Sequence, residues 1–499
     1  MGGRTDPMKF TERRSEPQPA HEGHGQLLRG WARYALASVA LLVPCFWQKR
    51  IQAGDLGSHI YNAWLAELIR QGSAPGLSIV PQKTNVLFDL LLSGLFRSVG
   101  SEAAQRIAVS LAVLVFVWGA FAFVAAVARR EWALLPVIAI LAYGWVFHIG
   151  FFNFYLSLGL CFWALALGWN LAPWRLLAAV PILVVASVAH AMPVGWVCAV
   201  LGFLWLARRL PSKRGQLIVT SAVALCAVHI AMTATMPTIW SFRQIENVAG
   251  VDQAWVYNGK YWVVAAGLLL VLMALMADSI GRNGARNLFG GELFQVLAVT
   301  AAGIFLLPRA VWLPEYHQPL VFIPERMSLA AGVVVLAVAA KGSPRRWQRW
   351  TLGLLAAVFF IFLYGDERAL NRFEDRTRDA VAQLPPMARV VSNVGVDGHI
   401  RALVHIIDRV CIGRCYSYTN YEPSSDQFRI RVTGPTSIVA PTGLDSSRME
   451  LGKYVVQERD LPLYRISMAS DDNLVVDSMA AGALIGVSQW RGLRLGMFL

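Results

Sequence analysis

The sequence predicts an α-helical polytopic membrane protein with about eleven transmembrane helices and a small C-terminal α/β soluble domain. The first observation is composition: of 499 residues, 56% are hydrophobic and only 15% are charged, whereas soluble domains carry about 25% charged residues. The second is arrangement, because long apolar runs alternate with short clusters of Lys and Arg. The third is a change after Tyr364, where ordinary mixed polar and apolar sequence begins.

The net charge of +14 does not indicate a nucleic-acid partner. Its Lys and Arg residues stand in clusters between apolar runs and do not form a continuous basic stripe. Such clusters are typical of loops that set membrane topology. We therefore expect membrane lipids as partners and no nucleic acid.

The chain begins with a polar stretch, residues 1–28, that lacks a periodic apolar face and predicts a disordered cytosolic tail. The apolar run from about Tyr34 to Trp47 has no small-residue cleavage site, so it is predicted to remain as a first transmembrane helix. Its flanking basic residues can extend to the interfaces and lengthen a short span.

Residues 48–103 are predicted to form a large outer loop with two surface helices, 56–70 and 84–97. Segment 84–97 is short and contains Asp89. Leaving it out of the membrane places the later arginine clusters on the cytosolic side, as the positive-inside rule requires. The resulting membrane domain covers 29–365, with the N-terminus cytoplasmic. Its further spans are predicted near 105–128, 132–149, 151–169, 174–190, 193–207, 215–236, 261–278, 291–307, 327–340 and 349–364.

Residues 366–499 are predicted to form a small extracytoplasmic α/β domain, because short apolar strands alternate there with a helical pattern near 399–410. Cys411 and Cys415 are the only cysteines in this polar region. A local disulfide and two free thiols both remain open for this pair. Two ligands are too few for a structural zinc site.

A carboxylate, an imidazole and an amide follow the first apolar run. Asp55, His59 and Asn62 share one face of the predicted helix, by the i, i+4, i+7 spacing. Asp55 can accept a proton from a hydroxyl, or hold a divalent cation such as Mg²⁺ or Mn²⁺ together with His59. The alternative is that Asp55 caps the helix by accepting a backbone N–H.

A second polar group lies in the predicted outer loop 308–326. It joins an acid and an imidazole, Glu315 and His317, to two arginines, Arg309 and Arg326. The planar guanidinium of arginine suits a lipid phosphate because it can bond two oxygens at once. Lys260, beside an aromatic outer loop, is a further substrate-binding candidate. An interfacial belt with positive ends is the alternative interpretation of these residues.

The order of these features resembles the GT-C superfamily of polytopic glycosyltransferases, in particular its bacterial members. The resemblance lies in the acidic motif after the first helix, the two surface helices, and several local stretches over about residues 31–365. These stretches are 85–106, Gly150-Phe-Phe-Asn153, the Ala189-His190 turn ending at Pro193-Val-Gly195, and Glu325-Arg326 at the head of a late helix.

The resemblance implies transfer of a sugar from a polyprenyl-phosphate donor to a glycan, lipid or protein acceptor on the outer face of a plasma (inner) membrane. It implies that Asp55 is the base or a metal ligand. Many members have two acids in this loop, whereas this chain has Asp55 followed by His59. A flippase for a lipid-linked saccharide and a non-catalytic assembly protein are the rival hypotheses.

Overall fold

The computed structural model describes residues 21–128, 132–314, 319–394, 399–400, 402–469 and 473–486, with side chains from residue 30 onward. The chain divides into two compact units, one ending at Val43 and one beginning at Pro44. The helices of the membrane region are α1 (His21–Leu42), α2 (Leu56–Arg70), α3 (Leu87–Val127), α4 (Leu135–Ala142), α5 (Trp145–Ile149), α6 (Phe152–Gly168), α7 (Pro173–Ala189), α8 (Ala191–Arg209), α9 (Arg214–Thr235), α10 (Trp262–Asn283), α11 (Ala285–Phe289), α12 (Glu292–Leu306), α13 (Ile323–Ala339) and α14 (Arg346–Ala382).

The protein is mostly helical and has the apolar helices of a membrane protein. Six helices within the described ranges are long and apolar enough to cross a membrane: Leu87–Val127, Trp132–Ile149, Ala191–Arg209, Pro211–Thr235, Gly259–Asn283 and Arg346–Ala382. The predicted count of about eleven is not confirmed. Several other predicted spans, among them those at α6, α7 and α12, form shorter apolar helices of 15 to 17 residues.

Helices α3 and α6 form the centre of the membrane region. A Cβ added to Gly119 on α3 would lie 2.4 Å from the carbonyl oxygen of Gly159 on α6, and one added to Gly159 would lie 2.7 Å from the Cα of Phe116 on α3. Both glycines are therefore needed for this close approach. The backbone of α3 is non-helical at Gly100 (φ +77°), which separates the first part of the helix, with Asp89, from the long apolar part. Helix α13 is also buried along most of its length.

The C-terminal region adds α15 (Ile406–Cys411), α16 (Tyr421–Ser424) and α17 (Gly443–Glu450) to a small four-stranded sheet. Numbered along the whole of the described residues, the strands are β1 (Leu77–Ile79), β2 (Thr238–Ile239), β3 (Ala310–Val311), β4 (Ala388–Ser392), β5 (Cys415–Ser417), β6 (Ile430–Val432), β7 (Leu463–Met468) and β8 (Leu474–Ser478). The sheet order is β5-β4-β7-β8: β4 runs parallel to both β5 and β7, and β8 is antiparallel to β7. An apolar cluster that includes Val391 and Leu463 packs beside this sheet.

The C-terminal region and the loop after α2 are joined by backbone pairing. Strand β1 pairs antiparallel with β6, so that Leu77 lies opposite Val432. The predicted boundary at 365 and 366 falls inside α14, which continues to Ala382. The change in composition at this point marks where charged residues enter the helix, and the helix itself does not end there. Likewise, α1 begins at His21, within the stretch predicted to be a disordered tail, whose residues 1–20 lie outside the described part.

Candidate functional site

Asp55 is held by its backbone at the start of α2. The Gly54 N–H donates to the carbonyl of His148 over 2.8 Å, and the Asp55 N–H donates to the carbonyl of Ile149 over 3.0 Å. Gly150 ends α5 in the left-handed conformation, and a Cβ on it would lie 2.4 Å from the Asp55 nitrogen. Only glycine fits here, so the turn after α5 fixes the position of Asp55.

The side chain of Asp55 does not cap α2, although Asp55 occupies the N-cap position. Its carboxylate Oδ1 lies 3.6 Å from Nε2 of His405, and the side chain is 26% exposed. The alternative role of Asp55 as a side-chain cap of α2 is therefore absent from the structure. The carboxylate is partly open to solvent beside a histidine from the C-terminal region.

His405 lies between two carboxylates. Its Nδ1 is 2.9 Å from Asp408 Oδ2, and the hydroxyl of Ser417 donates to the other oxygen of Asp408. Burial by itself would lower the pKa of His405, but the bond to Asp408, with Asp55 nearby, raises it to about 9. The ring of Tyr421 lies 5.4 Å from the imidazole, centroid to centroid. His405 falls within the predicted extracytoplasmic domain, 366–499, but no sequence pattern indicates that it meets Asp55.

His59 pairs with Asp89, which the sequence placed on the other surface helix. Its Nδ1 is 2.6 Å from Asp89 Oδ1, while Asn153 donates to Asp89 Oδ2 over 2.8 Å. Burial would lower the pKa of His59, but the Asp89 carboxylate raises it to about 9. Asp55 contributes only weakly to this effect, because the predicted partners Asp55 and His59 turn toward different neighbours.

Asn62 is buried, and protein groups occupy its amide. It donates to the carbonyl and hydroxyl oxygens of Ser58, and it accepts a bond of 3.0 Å from Asn420. Ser58 donates in turn to Glu422. Burial, with the Asp89 carboxylate nearby, raises the pKa of Glu422 to about 7. This network joins α2 to α16. Asn62 is also a predicted substrate-binding residue, from its place on the same helix face as Asp55 and His59, and that role stays a prediction.

Arg326 lies near Asp55, at the head of α13. Its guanidinium carbon is 3.7 Å from the ring centroid of Phe151, which directly follows the glycine packed against Asp55. The side chain is buried, and among the described residues its Nε has no hydrogen-bond partner. Arg309 is paired differently, because its Nε lies 2.5 Å from Glu325 and its side chain is half exposed.

The other predicted residues divide into two groups. Lys260 forms an ion pair with Asp366 over 2.7 Å, and Tyr261 donates to the same carboxylate. No contact among the described residues joins Lys260 to Asp55 or Arg326. Glu315 and His317 lie outside the described residues.

An apolar cavity of about 280 Å³ lies between α8, α9, α12 and α13 and reaches the turn of α13 that carries Arg326. Two of its lining residues, Ile323 and Met327, flank Arg326 on that turn. The Trp196 indole donates to the Thr300 hydroxyl over 3.1 Å, so these two polar groups in the lining satisfy each other. The cavity is therefore suited to a hydrocarbon chain.

The side chains of Asp55 and His59 do not converge on one cation, because each faces a different protein partner. Within the described ranges, no three His, Cys, Asp or Glu side chains are placed to hold a metal ion. The donor set on α2 is thus a poor fit to Mg²⁺ or Mn²⁺, which take several oxygen ligands. Cys411 and Cys415, left open by the sequence, form a disulfide close to this site.

Comparison of the chain with protein-family models, with curated proteins and with solved structures gives no match.

Proposed function

We propose that this protein is a membrane glycosyltransferase that takes a sugar from a polyprenyl-phosphate donor and passes it to an acceptor hydroxyl at the outer surface. One observation carries the proposal: an apolar cavity reaches the helical turn of the buried Arg326, and Arg326 is close enough to the partly open carboxylate of Asp55 for the two charges to interact. A lipid chain, its phosphate and a reacting hydroxyl need these three environments in this order.

The proposed topology follows the charge distribution of the loops. About eleven membrane segments, counting the shorter apolar helices, place the N-terminus in the cytoplasm and the C-terminal region outside. The GT-C resemblance supports the same arrangement, with the site at the outer surface. A disulfide between Cys411 and Cys415 fits an oxidising outer compartment.

In the proposed donor complex, Arg326 holds the lipid phosphate. A guanidinium can give two parallel hydrogen bonds to phosphate oxygens, and the buried Nε lacks a partner among the described residues. Phe151 supports the flat face of the guanidinium and leaves its edges for the ligand. The cavity between α8, α9, α12 and α13 takes the part of the prenyl chain nearest the phosphate.

In the proposed reaction, the acceptor oxygen attacks the anomeric carbon of the sugar while Asp55 takes the hydroxyl proton. The bond between the anomeric carbon and the phosphate oxygen breaks, and polyprenyl phosphate leaves with the electron pair. Arg326 stabilises the charge that develops on this leaving group. A fixed cation in a dry site acts strongly here because little water screens it.

The first experiment compares the wild type with Asp55→Asn. Purified protein in lipid is incubated with a panel of radiolabelled polyprenyl-phosphate sugars and a membrane extract as the source of acceptor. We expect the wild type to consume one donor, and Asp55→Asn to slow this by about 100-fold or more, since a general base contributes about 10²–10⁴-fold. Glu67→Gln is the matched control on the same helix, because Glu67 pairs with Arg70.

The outcomes separate the rival functions. If the donor lipid binds and crosses the bilayer without being cleaved, the flippase hypothesis replaces the transferase hypothesis. If no donor binds at all, the assembly-protein hypothesis is favoured. Full turnover by Asp55→Asn would remove Asp55 as the base.

A further inference from the structure

The C-terminal region meets the membrane region directly at the first turn of α2. Gly57 packs against the backbone of His405, and a Cβ added there would lie 2.2 Å from the His405 carbonyl oxygen. Since backbone atoms cannot swing aside as a flexible side chain can, this contact sets the distance between the two segments. Asp55 and His405 are therefore brought together by a glycine contact.

The imidazole of His405 is fixed on the side away from Asp55. Asp408 accepts the bond at Nδ1, and Ser417 donates to the same carboxylate. The disulfide between Cys411 and Cys415 links the end of α15, which carries Asp408, to the start of β5, which carries Ser417. His405 thus has one orientation, with Nε2 toward Asp55.

We propose that His405 is a positioning residue of the active site: held by Asp408 and Ser417, it orients the carboxylate of Asp55 toward the acceptor hydroxyl. The inference rests on the proposed function. It makes the C-terminal region part of the active site and not an accessory. The separation of 3.6 Å between Nε2 and Oδ1 is longer than a hydrogen bond, and we expect it to shorten when substrate closes the site.

The charged and titratable groups around His405 come from four elements. They are Asp55 before α2, Asp408 on α15, Tyr421 with Glu422 on α16, and Glu450 on α17. This acidic environment favours the imidazolium, which can donate to carboxylates on both sides at once. His405 therefore acts as a fixed donor toward Asp55 and does not relay the proton onward.

The first test is a double-mutant cycle of His405→Gln and Asp55→Asn, measured with the radiolabelled donor that the wild type consumes. We expect His405→Gln to lower kcat by about 10- to 100-fold with the KM for donor little changed, as for other residues that orient a reacting group. Because His405 acts through Asp55, the double variant should be no slower than Asp55→Asn alone. Additive losses would overturn the proposal.

The second test moves His405 without altering any functional group. Gly57→Ala should displace the His405 segment from α2 and lower kcat to a similar extent, while Gly94→Ala is the matched control, because a Cβ at Gly94 meets nothing within 4 Å. Full activity of Gly57→Ala in a folded protein would contradict the proposed contact. Asp408→Asn, which keeps the shape of the side chain, serves if His405→Gln fails to fold.

A third measurement keeps this proposal separate from the proposed function. Water-soluble carbodiimide with glycine ethyl ester modifies protonated carboxyl groups, and peptide mass spectrometry follows the labelling of Asp55. We expect severalfold faster labelling of Asp55 in His405→Gln than in the wild type, because the imidazole that lies 3.6 Å from its carboxylate no longer shields that carboxylate from the reagent. Faster labelling of Asp55 without any donor turnover would support the pairing of His405 with Asp55 and contradict the transferase function. Equal labelling rates in the two proteins would contradict the pairing.

Discussion

Arg326 differs from Arg309 and Arg243 in the groups that its guanidinium contacts. Arg309 has Glu325 as a partner at 2.5 Å, and Arg243 pairs with Glu246 on the exposed surface. Arg326 rests on the ring of Phe151, and its buried Nε has no hydrogen-bond partner in the described part of the chain. A buried guanidinium nitrogen without a hydrogen-bond partner is costly, and a bound phosphate would offset that cost.

We expect Arg326→Gln to weaken the binding of a polyprenyl phosphate by about 10- to 100-fold, since a hydrogen bond to a charged group contributes about 1.5–3 kcal/mol. The measurement is equilibrium binding of the radiolabelled lipid to purified protein in detergent. Arg243→Gln removes an exposed arginine and should leave the affinity unchanged. Equal affinities of the wild type and Arg326→Gln would place the phosphate elsewhere.

The residue scale also shows what helical spacing can predict. The i, i+4, i+7 pattern identified Asp55, His59 and Asn62 on α2, and all three lie in the polar region between α2 and its neighbours. Spacing does not tell which partner each side chain finds. His59 pairs with Asp89, and Asp55 lies beside His405. Both partners come from other parts of the chain.

At the scale of elements, helix α2 corrects the expectation of a surface helix. Its predicted bounds, 56–70, coincide with the structure, but nearly all of its residues up to Ala66 are buried. The apolar side is covered as expected, and α15 and α16 cover the polar side through Gly57 and Ser58. Amphipathic periodicity shows that a helix has a polar face, but it does not show whether water or protein lies against it.

The cavity between α8, α9, α12 and α13 gives a prediction at this scale. Gly303 lines the cavity, and a Cβ added there meets nothing within 4 Å, so Gly303→Leu should fold and fill part of the space. We expect this variant to raise the KM for a long-chain donor by about tenfold, and to leave a donor analogue with a short prenyl chain unaffected.

The control for this experiment is Gly202→Leu on α8. Gly202 is exposed, has open space around its Cα and does not line the cavity. Both substitutions favour helix formation to a similar degree, so any difference reports on the cavity. Equal sensitivity to short and long prenyl chains would mean that the chain lies outside this cavity.

For the whole molecule, the buried histidines between α2 and the C-terminal region predict how stability depends on pH. Folding raises the pKa of His59 and of His405 from 6.5 to about 9. The folded state therefore binds these protons more strongly. The resulting stabilisation is fully present below pH 6.5 and is lost as the pH rises through about 9. The raised pKa of Glu422 acts in the same direction between pH 4.5 and about 7.

We thus expect a lower Tm at pH 9 than at pH 6 in thermal unfolding of the detergent-solubilised protein. His59→Gln should show a smaller decrease over this range, because one of the two histidines responsible is absent. A decrease of the same size in both proteins would show that His59 does not contribute.

Much of the membrane architecture follows from hydropathy, whereas the site follows from it only in part. Composition predicts the membrane protein, and two residues of the proposed site follow from their place in the sequence: Asp55 after the first apolar run and Arg326 at the head of a late helix. The sequence could not place His405 against Asp55, because a fit at Gly57 creates that contact and leaves no periodic pattern. The sequence pairs His59 with Asp55, whereas in the structure His59 pairs with Asp89. That pairing depends on how α2 and α3 pack and has no sequence signal.

The pairing of β1 with β6 has a consequence for how the protein is made. Leu77–Ile79 leave the ribosome early, whereas Ile430–Val432 and His405 follow only after the helices of the membrane region have been synthesised. A nascent chain therefore carries Asp55 without its neighbours for most of translation. Shortened products released before His405 would lack one side of the proposed site, so premature termination would leave that site incomplete.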